Sequence, residues 1–141
     1  MKILVAVDGS DCTQRMLAYW MAHGEWLSPS HAYTVLTVVQ TVPARAAAVL
    51  DRAALQAYYA DEGEQTLQPV RRCLDRHDVQ ATFLSKTGAS VGDVIAKTAD
   101  SEGFDLVLLG SHGHGAIGNL LLGSVATRVL VACRTPVLIV R

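Results

Sequence analysis

Short, unbroken apolar runs closed by turn residues alternate along this chain with stretches of helical period, and this alternation constrains the fold more than any other feature. A strand that reads apolar throughout must be covered on both faces, which is the condition inside a parallel sheet flanked by helices. Five runs read as strands: Lys2 to Val7, Ala32 to Val39, Gln80 to Ser85, Asp105 to Gly110 and Pro136 to Val140. After the polar turn Asp8-Gly9-Ser10-Asp11, which can cap a helix, Met16, Leu17, Trp20, Met21 and Leu27 recur at helical spacing before Pro29. Ala46 to Arg76 carries a narrow stripe of Leu67, Val70 and Leu74 and reads as a long second helix, with Gly63 and Pro69 as candidate breaks. Ser90 caps a third helix bearing Val94, Ile95 and Ala99, and Leu121, Val125, Val129 and Leu130 mark a fourth that ends before Pro136. Five strands joined by crossovers of helical length give an open α/β sheet with helices on both faces, and right-handed crossovers leave few topologies.

At 141 residues the chain fits one domain, residues 1–141, large enough to bury roughly two thirds of its unfolded surface. With 12 Lys and Arg against 13 Asp and Glu, and no block of like charge longer than a dipeptide, it lacks the footprint of a nucleic-acid or anionic-membrane binder. Cys12, Cys73 and Cys133 are odd in number and far apart, which suits a reducing compartment and argues against a disulfide or zinc framework. No signal-peptide pattern opens the chain and no apolar run reaches the ~18 residues of a membrane span, so the expected location is the cytoplasm.

The chemistry concentrates in Gly110-Ser111-His112-Gly113-His114-Gly115-Ala116-Ile117-Gly118-Asn119-Leu120-Leu121-Leu122-Gly123-Ser124, between the fourth strand and the last helix. Its five glycines let the backbone approach a ligand closely and reach positive φ, so that successive amides converge on an anion. Gly113 to Gly118 matches G-x-G-x-x-G, but only one strand follows, and Leu138 stands near the offset where a dinucleotide site needs an acidic residue. The same glycines open a P-loop pattern, yet Asn119-Leu120 replace its Lys and Ser or Thr. Gly123-Ser124 instead places amides and a hydroxyl at a helix N-terminus, which favours anions. A purely structural role for the glycines, as a tight strand-to-helix connection, remains the competing reading.

The spacing Gly110-x2-Gly113-x9-Gly123-Ser124, with Leu120 to Ala126 and Pro136 to Val140 around it, resembles the signature of the universal stress protein family, ATP-binding branch. The resemblance covers nearly the whole chain and implies the strand order 3-2-1-4-5, with ligands bound outside the carboxyl ends of the strands. It implies ATP with Mg²⁺ as the ligand of a nucleotide-responsive stress regulator or protective protein, and a homodimer formed through the C-terminal edge strand. Its binding residues fall on Val7 and Asp8, on the backbone of Val38, on Leu109, Gly110, Ser111, His112 and Gly113, and on Gly123, Ser124 and Val125. Asp8 is the ribose or adenine contact in this reading, against a competing role in capping the first helix alongside Ser10 and Asp11.

Other features read as ordinary. His112 and His114 form H-x-H without a third ligand at a fixed spacing, so they flank phosphates or face solvent rather than hold a metal. Cys12 is a small residue at a helix start, with a lowered-pKa thiol as the rival reading. Trp20 and Trp26 are packing residues, and Lys86-Thr87-Gly88 is either a polar turn or a ligand contact. No nucleophile, base and orienter stand together in a recognised motif, so no catalytic residue is assigned. Two alternatives follow: a slow Mg²⁺-dependent ATPase or phosphotransferase, and a nucleotide-free dimerisation module.

Overall fold

In a computed structural model, which describes all residues except Trp26, Pro29 and 114–121, the strands form one parallel sheet in the order β3-β2-β1-β4-β5. The strands are β1 (Lys2–Ala6), β2 (Ala32–Gln40), β3 (Ala81–Gly88), β4 (Leu106–Gly110) and β5 (Val137–Val140). Between them run α1 (Asp11–Ala22), α2 (Ala44–Ala47), α3 (Arg52–Arg76), α4 (Val91–Ser101) and α5 (Ser124–Ala132). The order agrees with the expected one, and β1 sits centrally, with Ala6 opposite Leu36 on one side and Leu109 on the other.

The two-residue period of β1 divides the core. Ile3, Val5 and Val7 face α1 and α3, where they join Met16, Leu17, Trp20, Leu67, Val70 and Leu74. Leu4 and Ala6 face α4 and α5, where they meet Ile95, Ala99, Ala126 and Val129. Each fully buried Leu, Ile or Met among them contributes about 1.5–3 kcal/mol, so both helical layers are held by hydrophobic burial rather than by helix propensity.

Three expectations are corrected. The second helix does not run from Ala46 and does not break at Gly63 or Pro69; α2 is a single turn, and α3 starts afresh where Asp51 accepts a hydrogen bond from the Ala54 amide at 2.9 Å. Gly63 serves close packing instead, because a Cβ there would run into the Ser85 hydroxyl of β3. Pro69 is exposed and sits within α3, so the Gln65 carbonyl that its missing N–H cannot reach lies on an exposed face. Lys86-Thr87-Gly88 is neither turn nor ligand loop: it prolongs β3 against Val38, Val39 and Gln40. Lys86 Nζ there donates to Thr98 Oγ1 at 3.0 Å and Glu102 Oε1 at 2.9 Å. The Trp26 and Pro29 readings lie outside the described residues, whereas Trp20 is 1% exposed, as a packing residue should be.

Candidate functional site

A cavity of about 520 Å³ opens at the carboxyl ends of β1, β2 and β4, where the chain leaves the centre of the sheet in opposite directions. Each residue that the resemblance assigned to binding lines it: Val7, Asp8, Val38, Leu109, Gly110, Ser111, His112, Gly113, Gly123, Ser124 and Val125. Val7 keeps its side chain in the core on the α1 and α3 face, so what it offers the cavity is backbone. His114 and the rest of the glycine run to Leu121 lie outside the described residues.

Asp8 ends β1 and organises the turn that follows. Its Oδ1 accepts from the Ser10 amide at 3.0 Å, the Ser10 hydroxyl at 2.6 Å and the Thr13 hydroxyl at 2.8 Å. Ser10, not Asp8 or Asp11, caps α1, accepting from the Thr13 amide at 3.4 Å. Asp8 therefore holds the cap rather than being it, with Oδ2 aimed at Gly113, where an added Cβ would collide with that oxygen. The two loops thus face each other across the cavity mouth.

On the glycine side, Ser111 is a staple. Its amide donates to the Val140 carbonyl at 2.8 Å, and its carbonyl accepts from the Gly123 amide at 2.8 Å, so the end of β4, the end of β5 and the start of α5 meet at one residue. The Ser111 hydroxyl, 2% exposed as a residue, lies 3.0 Å from His112 Nδ1. Gly123 is the N-cap of α5 and supplies no side-chain bond, leaving first-turn amides of that helix to be satisfied by something else. The described glycines of the run do not use positive φ, which is found only at Gly9 and Gly103 among the described glycines. Close approach is what they provide: a Cβ on Gly110 would come within 2.9 Å of Cys12 Cβ, and one on Gly123 within 3.2 Å of His112 Cα.

Electrostatically the site is sparse. None of the described lining residues is Lys or Arg, and the stretch 110–124 contains neither. An anion held here would be met by amide dipoles, the α5 N-terminus and His112. Among the described residues no three His, Cys, Asp or Glu gather into a metal site. Cys12, expected as a small residue at a helix start, is 5% exposed, and its Sγ accepts from Arg15 at 2.9 Å.

Sequence reasoning missed the apolar floor and one wall. Ala6, Leu36 and Ala126 form the floor, and Val91 and Ile95 bring α4 to the cavity. The available signal was Ser90, which accepts from the Asp93 amide at 3.4 Å and starts α4 at the ligand side of the sheet. Thr13 and Gln40 were also missed, five residues beyond Asp8 and two beyond Val38.

A model of the universal stress protein family matches residues 1–141. A universal stress protein of Thermus aquaticus is 31% identical over 99% of this chain and 97% of its own length. One of Mycobacterium tuberculosis is 29% identical over 99% of this chain, which spans only 45% of that relative. Among solved structures, the hypothetical protein MJ0577 of Methanocaldococcus jannaschii superposes with a TM-score of 0.80 at 24% identity, over 99% of this chain and 94% of its own. A universal stress protein from Archaeoglobus fulgidus in complex with dAMP gives 0.69 at 19% identity, covering 100% and 98%. One from Arabidopsis thaliana with AMP bound gives 0.70 at 16%, covering 99% and 90%. At these identities the structural likeness speaks to the fold.

Proposed function

This chain belongs to the universal stress protein family, and from that membership we propose that it binds an adenine nucleotide, ATP carried with Mg²⁺, and acts as a nucleotide-responsive stress regulator or protective protein in the cytoplasm. The observation that carries the reading is the cavity itself: residues chosen for an anion cradle and residues chosen for a ribose and adenine contact line one space of about 520 Å³. Its volume is in the range of small-molecule sites, roughly 300–1,000 Å³. In this reading the amides around Gly113, Gly123 and Ser124 meet the phosphates, Asp8 the ribose, and the Val38 backbone the adenine edge. Proteins of the same fold that hold dAMP and AMP support the ligand class.

With no ready set of metal ligands among the described residues, Mg²⁺ would arrive on the nucleotide's own phosphates, completing its shell with water. We read residues 1–141 as one domain and its assembly as a homodimer through β5. Carbonyls of Pro136 and Val140 point to β4, so by the two-residue period Val137 and Ile139 present their backbone groups outward, along an apolar edge open to a second copy.

The test is to purify the protein without added nucleotide, denature it and identify what is released by chromatography and mass spectrometry. Stoichiometric ATP is the expected result; no release and no binding of added Mg-ATP would leave the glycine run as a structural connection. For the assembly, Ile139→Pro removes an outward N–H without touching the β4 ladder, so a folded variant should sediment as a monomer.

A further inference from the structure

Three residues of β2 share one orientation at the cavity, and the last of them carries an amide held by a partner on α4's approach. Leu36 is the partner of Ala6 in the sheet, and its carbonyl accepts from the Val7 amide at 2.9 Å, so its backbone groups face β1. The Thr41 amide instead donates to the Gly88 carbonyl at 3.0 Å and faces β3. By the two-residue period of a strand, Val38 and Gln40 turn their backbone groups the way Leu36 does, into the space beyond the end of β1. The same period puts the Gln40 side chain on the face of Leu36 and Val38, which pack toward α4 and α5, and all three residues line the cavity.

Gln40 is exposed at the rim, yet its amide is not free to turn over. Its Nε2 donates to the Ala89 carbonyl at 3.3 Å. A carbonyl can only accept, so the amide keeps its nitrogen on that side and its oxygen on the other. Ala89 is flanked by two fixed points: a Cβ on Gly88 would run into Val94 of α4, and Ser90 caps α4 by accepting from the Asp93 amide at 3.4 Å. We propose that Gln40 reads the base, its Oε1 accepting one hydrogen of an exocyclic purine amine whose other hydrogen goes to the Val38 carbonyl. This role rests on the nucleotide-binding reading above and adds what selects the base. A 6-amino purine brings two donors to those two acceptors, whereas a 6-oxo purine sets lone pairs against them.

The test is competition calorimetry at one Mg²⁺ concentration with three ligands: ATP, ITP, which is oxo at position 6, and purine riboside triphosphate, which has only hydrogen there. The parent should bind ATP at least tenfold more tightly than either analogue. Gln40→Met keeps the length of the side chain and removes the amide; it should weaken ATP about fivefold and leave purine riboside triphosphate unchanged. Gln40→Ala, which adds no apolar surface at the rim, should give the same change of ratio. The proposal is overturned if the parent binds ATP and purine riboside triphosphate alike, if both variants keep the parent's ratio, or if they weaken the two ligands equally, which would make Gln40 a wall rather than a reader. Failure of the parent to bind any of the three is a different result: it removes the nucleotide reading itself, and the role of Gln40 with it.

Discussion

The cavity above the sheet and the groove between α1 and α3 share one wall, the Asp8–Thr13 pair, yet they are made from different parts of the polypeptide. The upper cavity is built largely of backbone: Gly110, Gly113 and Gly123 keep side chains out, and α5 presents an N-terminus without a side-chain cap. The groove is built of side chains at helical spacing on two neighbouring helices. A space defined by missing side chains is ruined by adding one, whereas a space lined by side chains is weakened piece by piece as they are changed.

Gly123→Val should have the largest effect. A Cβ there already comes within 3.2 Å of His112 Cα and 3.3 Å of the Ser111 carbonyl, and a branched side chain adds bulk where first-turn amides should meet phosphate. Calorimetry with AMP or Mg-ATP should show at least a hundredfold loss, about 2.7 kcal/mol or more, while Cys73 in the groove keeps the parent's rate of maleimide labelling. A changed Cys73 rate would mean that the two spaces are one cooperative unit, and the contrast between them would fail.

Thr13→Val attacks the shared wall. Thr13 is 4% exposed; its hydroxyl donates to Asp8 Oδ1 at 2.8 Å and accepts from the Asp8 amide at 3.1 Å. An isosteric methyl leaves that part-buried amide without its acceptor, which costs about 0.5–1.5 kcal/mol of stability in denaturant melts. Because Asp8 then loses its anchor, nucleotide should bind about tenfold more weakly and Cys73 in the groove should label faster than in the parent. An effect confined to nucleotide binding would show that the wall is not mechanically shared.

How much of this was legible follows the same division. The double-faced burial of β1 is written in Ile3-Leu4-Val5-Ala6, since a short apolar run with β-branched residues, closed by a turn, reads as a strand covered on both sides. The backbone-built cavity was legible in the spacing Gly110-x2-Gly113-x9-Gly123-Ser124, with Asp8 at the end of the neighbouring strand. The order of strands was not in the periodicity and came from family likeness. Gly63 was misread because its cause is tertiary: nothing near it in sequence announces the Ser85 hydroxyl that occupies its Cβ position. The strand character of Lys86 was hidden in the same way, by partners at Thr98 and Glu102. The groove was invisible, since Gln14, Glu62, Gln65 and Thr66 look like ordinary solvated helix faces until Gly63 fixes the height of α3.

The smallest effect tests whether the α4–α5 wall of the upper cavity can be loosened without reaching the groove. Arg128 Nε donates to Asp93 Oδ1 at 2.6 Å across these two helices, both side chains being largely exposed. The Arg128 guanidinium, with help from the Ser90 hydroxyl, holds the Asp93 carboxyl below its ordinary value of 3.8. Because the folded protein then binds that proton less readily than the unfolded chain, the pair stabilises the fold above about pH 4 and the contribution disappears as pH falls through the lowered folded value. Asp93→Asn should therefore be slightly less stable than the parent at pH 6 and indistinguishable from it at the acid end of the range where both still fold. Solvent screening makes the difference small, and 1 M salt should shrink it further. The rate of Cys73 labelling in the groove should match the parent's at each pH where the protein is folded; if it follows Asp93, the two faces of the sheet are coupled through more than Asp8 and Thr13.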